Sequence, residues 1–313
     1  MNFDRDQLKT RLAELARQGV FIGTSSWKYP GWRGLLYDEA RYVYRGKISE
    51  ARFERACLSE YAEVFKSVGV DAAYYQFPTE RYLTGLVEQV PGDFLFSFKV
   101  TDTITLKHFP NLPRFGKLAG QPNDSFLNAE LFTRAFLQPC EPFRANIGLL
   151  MFEFTRLYPA DFARGRDFVE ALNRFLAALP KGWRYGVEIR NRAFLQPEYF
   201  AMLARHGVAH VFNSWEAMPS VTEQLARPDA FPVPDFFGAR FLLKPGRKYE
   251  DAVKEFSPYR KVKEINAEAR AAGTQLIRQV VAAEGRRKGF IYVNNRLEGN
   301  ALATIAAMIG AVV

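Results

Sequence analysis

Short apolar runs recur along the chain, bounded by Gly or polar residues and separated by stretches of helical period. Eight runs have strand length: Val20–Thr24, Val70–Gln76, Phe94–Val100, Ile147–Phe154, Tyr185–Ile189, Ala209–Asn213, Ala239–Leu243 and Gly289–Asn294. They are rich in β-branched and aromatic residues, the pattern of buried strands. Between them apolar residues fall at three- and four-residue steps. From Ser49 to Val68 the series is Phe53, Cys57, Tyr61, Val64, Phe65 and Val68, one face of a helix, with Gly69 as its stop. Thr79 caps a second predicted helix that ends before Pro91, and Asp124–Phe136 reads as a third, closed by Pro139. Phe168, Leu172, Phe175, Leu176 and Leu179 mark a fourth, closed by Pro180. Pro197 opens a fifth that Gly207 ends. A short sixth spans Ser220–Leu225, Ser257-Pro258 starts a long seventh, and Asn300–Ala311 is the eighth.

Eight strand–helix repeats without a Pro/Gly-rich linker predict an α/β fold, a (β/α)8 TIM-barrel-like single domain over residues 1–313. Residues 1–18 read as an N-terminal extension or helix. A doubly wound open sheet is the alternative, but its first turn is normally Gly-rich, and here the first strand runs into Gly23-Thr24-Ser25-Ser26-Trp27. Long loops follow the first, third and seventh predicted strands. In a barrel they rise from one end, where binding and catalysis concentrate.

Composition narrows the function classes. The 313 residues are 48% hydrophobic, yet no run approaches the length of a membrane helix. The N-terminal stretch lacks the apolar centre of a signal peptide, so the expectation is a cytoplasmic protein with no membrane partner. Two cysteines, Cys57 and Cys140, make no disulfide framework, and Cys57 falls on a core face. Three histidines, His108, His206 and His210, form no HxH or HExxH spacing, and no CxxC occurs. No metal site and no cofactor is predicted, although scattered carboxylates are compatible with Mg²⁺. The net charge of +9 favours anionic partners, a small molecule or nucleic acid, while the dispersal of the basic residues suits plain solubility as well.

Several side chains carry candidate chemistry. Glu188 and Arg190 are two apart on a predicted strand and share a face, a carboxylate beside a guanidinium at a barrel mouth. That pair suits proton transfer with an anion clamp, or a structural ion pair. Lys99 ends the third predicted strand on the face of Ser97, as a phosphate binder, a reactive amine or a partner for Glu188 or Glu153. Glu153 interrupts the apolar run Leu149-Leu150-Met151-Phe152, so it must be paired, at the rim, or shifted in pKa. Lys244, Arg247 and Lys248 surround Gly246 after the seventh predicted strand, and Asn294 and Asn295 end the eighth. Barrel phosphate sites commonly use those two loops, and a solvated basic loop is the competing reading. Trp27, Tyr29, Trp32 and Arg33 crowd the first loop, Tyr75 ends the second predicted strand, and Trp215 follows the sixth. Such aromatics stack on sugars or bases, or simply pack as a lid.

The stretch Ile22-Gly23-Thr24-Ser25-Ser26-Trp27-Lys28-Tyr29-Pro30-Gly31-Trp32-Arg33-Gly34 resembles the opening motif of the domain of unknown function 72 family, also called YecE-like. Tyr74-Tyr75-Gln76-Phe77-Pro78, Phe96-Ser97-Phe98-Lys99-Val100, Val187-Glu188-Ile189-Arg190-Asn191, Gly246-Arg247, Val293-Asn294-Asn295 and Gly299-Asn300-Ala301 are similar to later family motifs, in order. The chain departs from the pattern at Asp71, usually Glu, at Glu153-Phe154-Thr155-Arg156, usually Gln-Leu-Pro-Pro, and at Asn191 and Lys244-Pro245-Gly246, where the family often has His. The resemblance implies a barrel related in shape to sugar isomerases and to a metal-dependent apurinic endonuclease. It implies no established reaction, and the endonuclease's metal ligands are absent from this sequence.

Three functions remain open at this level. The chain is an enzyme, a hydrolase or isomerase acting on a phosphorylated sugar, nucleotide or nucleic-acid end. Otherwise it is a non-catalytic nucleic-acid-binding protein, or a ligand-sensing scaffold.

Overall fold

The computed structural model describes residues 3–312. Eight strands form one sheet: β1 Val20–Thr24, β2 Ser67–Val70, β3 Leu95–Lys99, β4 Ile147–Phe154, β5 Tyr185–Ile189, β6 Ala209–Ser214, β7 Phe236–Phe241 and β8 Lys288–Val293. Every neighbour pairs in parallel, in the order β1-β8-β7-β6-β5-β4-β3-β2. Helices lie outside, so the strands bury both faces and read as nearly continuous apolar runs. The result is a nearly closed α/β barrel.

The remaining seam lies between β1 and β2, which sit side by side without a ladder. Tyr61, buried on the helix Glu50–Ala62, bridges it. Its hydroxyl accepts from the Thr24 N–H at 3.1 Å and donates to the Ser67 carbonyl at 3.2 Å. Gly23 is required there, because a Cβ would stand 2.1 Å from the Ser67 carbonyl oxygen.

Side chains alternate along each strand. Outward residues such as Val187, Phe212 and Phe241 join the large core beneath the helices. Inward residues, among them Leu149, Met151, Val211, Phe236, Phe290 and Tyr292, make a second core inside the barrel. Tyr292 links that interior by hydrogen bonds to Ser97 at 2.6 Å and Ser67 at 2.7 Å.

Strands β1, β4 and β5 have the predicted bounds, but others differ. The second predicted strand, Val70–Gln76, is displaced: β2 is Ser67–Val70, and residues 72–75 form a helical turn. The preceding helix stops at Ala62, not Val68, so Gly69 lies in a strand. The apolar spacing of Val64, Phe65 and Val68 extends the helix face, but the helix gives way at a turn after Ala62, and Val68 lies in a buried strand that pairing with β3 sets. Likewise β7 begins three residues before the predicted Ala239. Ser257-Pro258 starts no helix. One helix, Tyr249–Phe256, ends there, and a separate helix, Ala267–Val281, starts at the Asn266 cap. The region 124–136 is broken into a short helix, Ala129–Phe132, and a wider turn, Thr133–Leu137.

Other local signals hold. Thr79 accepts from the Tyr82 N–H, Gly207 takes the left-handed conformation that ends Pro197–His206, and Asn300 caps Ala301–Gly310. Arg5–Arg17 is helical, consistent with an N-terminal helix. No helix among the described residues is long and apolar enough to cross a membrane.

Candidate functional site at the barrel mouth

The inward face of every strand ends, at its C-terminal end, in a polar residue. On β4 the inward series Leu149, Met151 continues to Glu153, and on β5 Gly186 leads to Glu188 and then Arg190. On β7 Phe236 and Gly238 lead to Arg240; on β3 Leu95 and Ser97 lead to Lys99. Ser25, Asp71, Asn213 and Asn294 hold the same place after or at the ends of β1, β2, β6 and β8. Strand alternation alone thus converges these groups on one mouth.

Charge pairing organises the centre. One oxygen of Glu153, Oε2, receives Lys99 Nζ at 2.9 Å, Arg190 Nη2 at 2.8 Å and Arg240 Nη1 at 2.6 Å. Arg240 Nη1 also reaches Glu188 Oε2 at 2.8 Å, and Arg190 holds Glu188 Oε1 from Nε and Nη2 at 3.2 and 3.1 Å. Glu188 is 0% exposed, Glu153 2% and Arg240 3%. The other fork of Arg240, Nη2, meets Asp71 Oδ1 at 3.2 Å, and the Asp71 side chain is 36% exposed. Lys99 Nζ lies 3.5 Å from the Tyr74 ring centre, and Arg190 stacks on Trp215 at 3.8 Å.

These contacts set the protonation states. Burial pushes Glu153 up, but Arg190, Lys99 and Arg240 together hold it well below the usual carboxylate range. Burial lowers Lys99 below an ordinary lysine, partly offset by Glu153. Burial also works against the charge on Arg240, which Glu188, Asp71 and Glu153 more than restore.

A neighbouring pair extends the rim. Arg114, on the long segment between β3 and β4, lies 2.7 Å from Asp102 and stacks over the exposed ring of Tyr75 at 4.8 Å.

The candidates named from sequence thus divide. Lys99, Glu153, Glu188 and Arg190 meet in one cluster. Tyr75 stands at the rim, and Asn294 is inward but accepts the Arg296 N–H. Asn295 turns outward and accepts from the Ala301 N–H at the start of the last helix. Lys244 pairs with Glu264 at 2.7 Å, and Arg247 pairs with Glu264 and Glu255, so the basic loop is bound to its own carboxylates. Trp32 is 0% exposed, stacked on Tyr37 within the core, and Arg33 holds Glu50 at 2.7 Å. Tyr29 packs against Trp32 and Tyr259, and Trp27 is 6% exposed. His108, His206 and His210 lie outside the cluster, paired with Asp161, Asn173 and Tyr199.

Arg240 is the central residue of the cluster that sequence reading missed. Its signal is the one that marks Glu153, a charge inside the apolar run Phe236–Phe241. Asp71, Tyr74 and Asn213 were also outside the candidate set. Among the described residues no group of three or more His, Cys, Asp or Glu is arranged to hold a metal ion. The mouth carboxylates are interleaved with cations, which does not fit a divalent cation.

The protein YecE of Escherichia coli K12 is 26% identical over 186 residues, 58% of this chain and 50% of that protein. The chain therefore matches about half the length of that curated relative. A solved protein of Enterococcus faecalis, described as DUF72 family, superposes with TM-score 0.61 at 17% identity, covering 94% of this chain and 95% of that one. Another from Thermotoga maritima gives TM-score 0.60 at 22% identity, covering 93% and 98%. These two show the shared fold. The profile described as Protein of unknown function DUF72 matches residues 21–313, nearly the whole chain, and the chain belongs to that family.

Proposed function

We propose that the mouth binds a small anionic, hydroxylated ligand, a phosphorylated sugar or nucleotide. The supporting observation is the charge balance across the burial boundary. Three cations, the buried Lys99 and Arg240 and the partly buried Arg190, face two buried carboxylates, Glu153 and Glu188. The third negative charge is Asp71, half-exposed and attached to one fork of Arg240. An incoming phosphate oxygen can replace that carboxylate on the same guanidinium, which suits bidentate anion recognition. Tyr75 and Trp215 supply rings for the rest of the ligand.

On this reading the reaction is a hydrolysis or an isomerisation. Glu153 is held too firmly as an anion to exchange protons near neutrality, so its part is electrostatic. Lys99, lowered by burial, is the better proton carrier.

Thermal unfolding against sugar phosphates, nucleotides and short oligonucleotides tests the reading. A ligand at 100 times its Kd adds about 2.7 kcal/mol of stability, a visible shift. A shift with small phosphates that Lys99→Ala reduces is expected. A shift with oligonucleotides alone would favour a nucleic-acid binder, and none at all would overturn the proposal.

A further inference from the structure

A cleft of about 580 Å³ runs off the mouth between the first loop and the helices Glu50–Ala62 and Glu80–Val87. Asp71 lines it, so the residue that holds Arg240 in the mouth also forms the wall between the two spaces. Three cations line the cleft: Lys28, Arg55 and Arg81. Among the described residues none of the three has a carboxylate within salt-bridge distance, unlike the basic loop at Lys244–Arg247. The carboxylates in the lining are Glu54 and Asp71. The walls include Trp27 and Tyr82. The indole Nε1 of Trp27, a residue 6% exposed, is buried without a hydrogen-bond partner among the described residues. A cleft lined by three cations without ion-pair partners and two carboxylates has a net positive charge and concentrates anions.

We infer that this cleft is a second anion subsite, so that the ligand carries two phosphate groups, one on Arg240 in the mouth and one among Lys28, Arg55 and Arg81. The inference rests on the mouth reading above and narrows it from one phosphate group to two linked ones. Two sources share that chemistry, a sugar bisphosphate and a 5′-phosphorylated dinucleotide. In either case the second group raises affinity by making its own binding intramolecular.

Calorimetric titration of the full chain decides it. The probes are fructose 6-phosphate against fructose 1,6-bisphosphate, and a 5′-mononucleotide against the 5′-phosphorylated dinucleotide. At least one bis-anion is expected to bind about tenfold or more tightly than its monophosphate. The member of the pair that shows the gain names the source. The double substitution Arg55→Ala with Arg81→Ala, both exposed and expected to fold, should remove the gain and leave monophosphate affinity unchanged. A bis-anion that binds no more tightly than its monophosphate, or a gain that survives the double substitution, overturns the subsite. Bisphosphate binding that the double substitution abolishes, without any monophosphate binding, would sink the mouth reading and retain the cleft. No binding by any probe overturns both.

Discussion

Arg240 on β7 donates to Glu153 on β4 at 2.6 Å, across the barrel lumen and 87 positions apart in sequence. Two strands, β5 and β6, separate them around the wall, so this contact ties opposite sides of the mouth together. A buried guanidinium serving two buried glutamates is costly to break from one side, since the charges left behind have lost both water and partner.

Arg240→Met is therefore expected to destabilise the protein by about 3–5 kcal/mol, because Glu153 and Glu188 remain buried with fewer donors. Urea unfolding measures this. Arg240→Lys should fall between, keeping the charge without the fork. A Met variant as stable as wild type would mean that the cluster does not hold the mouth together.

Glu153 gives a pH signature. Its folded pKa lies below its ordinary value of 4.5, so the unfolded chain binds the proton more readily. Its contribution is fully present above that value and is lost as pH falls through the folded pKa. Glu153→Gln should be less stable than wild type at neutral pH, with a gap that narrows below about pH 4 as the unfolded wild-type chain takes up the proton that the folded Glu153 still refuses. Urea midpoints from pH 7 down to pH 3 give the comparison, and a pH-independent gap would contradict the assigned pairing.

Lys244→Ala and Arg247→Ala should leave phosphate affinity within about twofold, since rim charges already paired and solvated are worth little. Titration with a sugar phosphate checks this. A large loss would return the ligand to the basic loop and away from Arg240.

Trp32→Ala should cost about 3–5 kcal/mol of stability, as expected for a large aromatic removed from a packed core. Chemical denaturation reads this directly. Weakened ligand binding at unchanged stability would restore Trp32 as a stacking residue.

Much of this was legible from the chain. The run Tyr185–Ile189 is short, apolar and bounded by a basic stretch and Asn191, so the strand and the shared face of Glu188 and Arg190 follow from period two alone. Glu153 stood out as a charge within an apolar run, and the structure explains its survival there by three cations. What stayed hidden depends on contacts far apart in sequence. Residues 67–70 fit either the end of a helix face or a buried strand until β3 is in place, and the error carried Tyr75 from a strand end to a helical turn. The late placement of β7 obscured Arg240, whose partners lie 52, 87 and 169 positions away. The basic loop looked like a phosphate site because Glu264 and Glu255, its partners, belong to later segments.

The central claim is that Asp71 holds the place of a ligand anion on Arg240. Isothermal titration of a sugar phosphate into wild type and Asp71→Asn tests it most directly. Removing one negative charge a few ångströms from the anion, where such charges interact by about 1 kcal/mol or more, should tighten binding about tenfold. Unchanged or weaker binding by Asp71→Asn would contradict the account, because the carboxylate would then not be competing for that site.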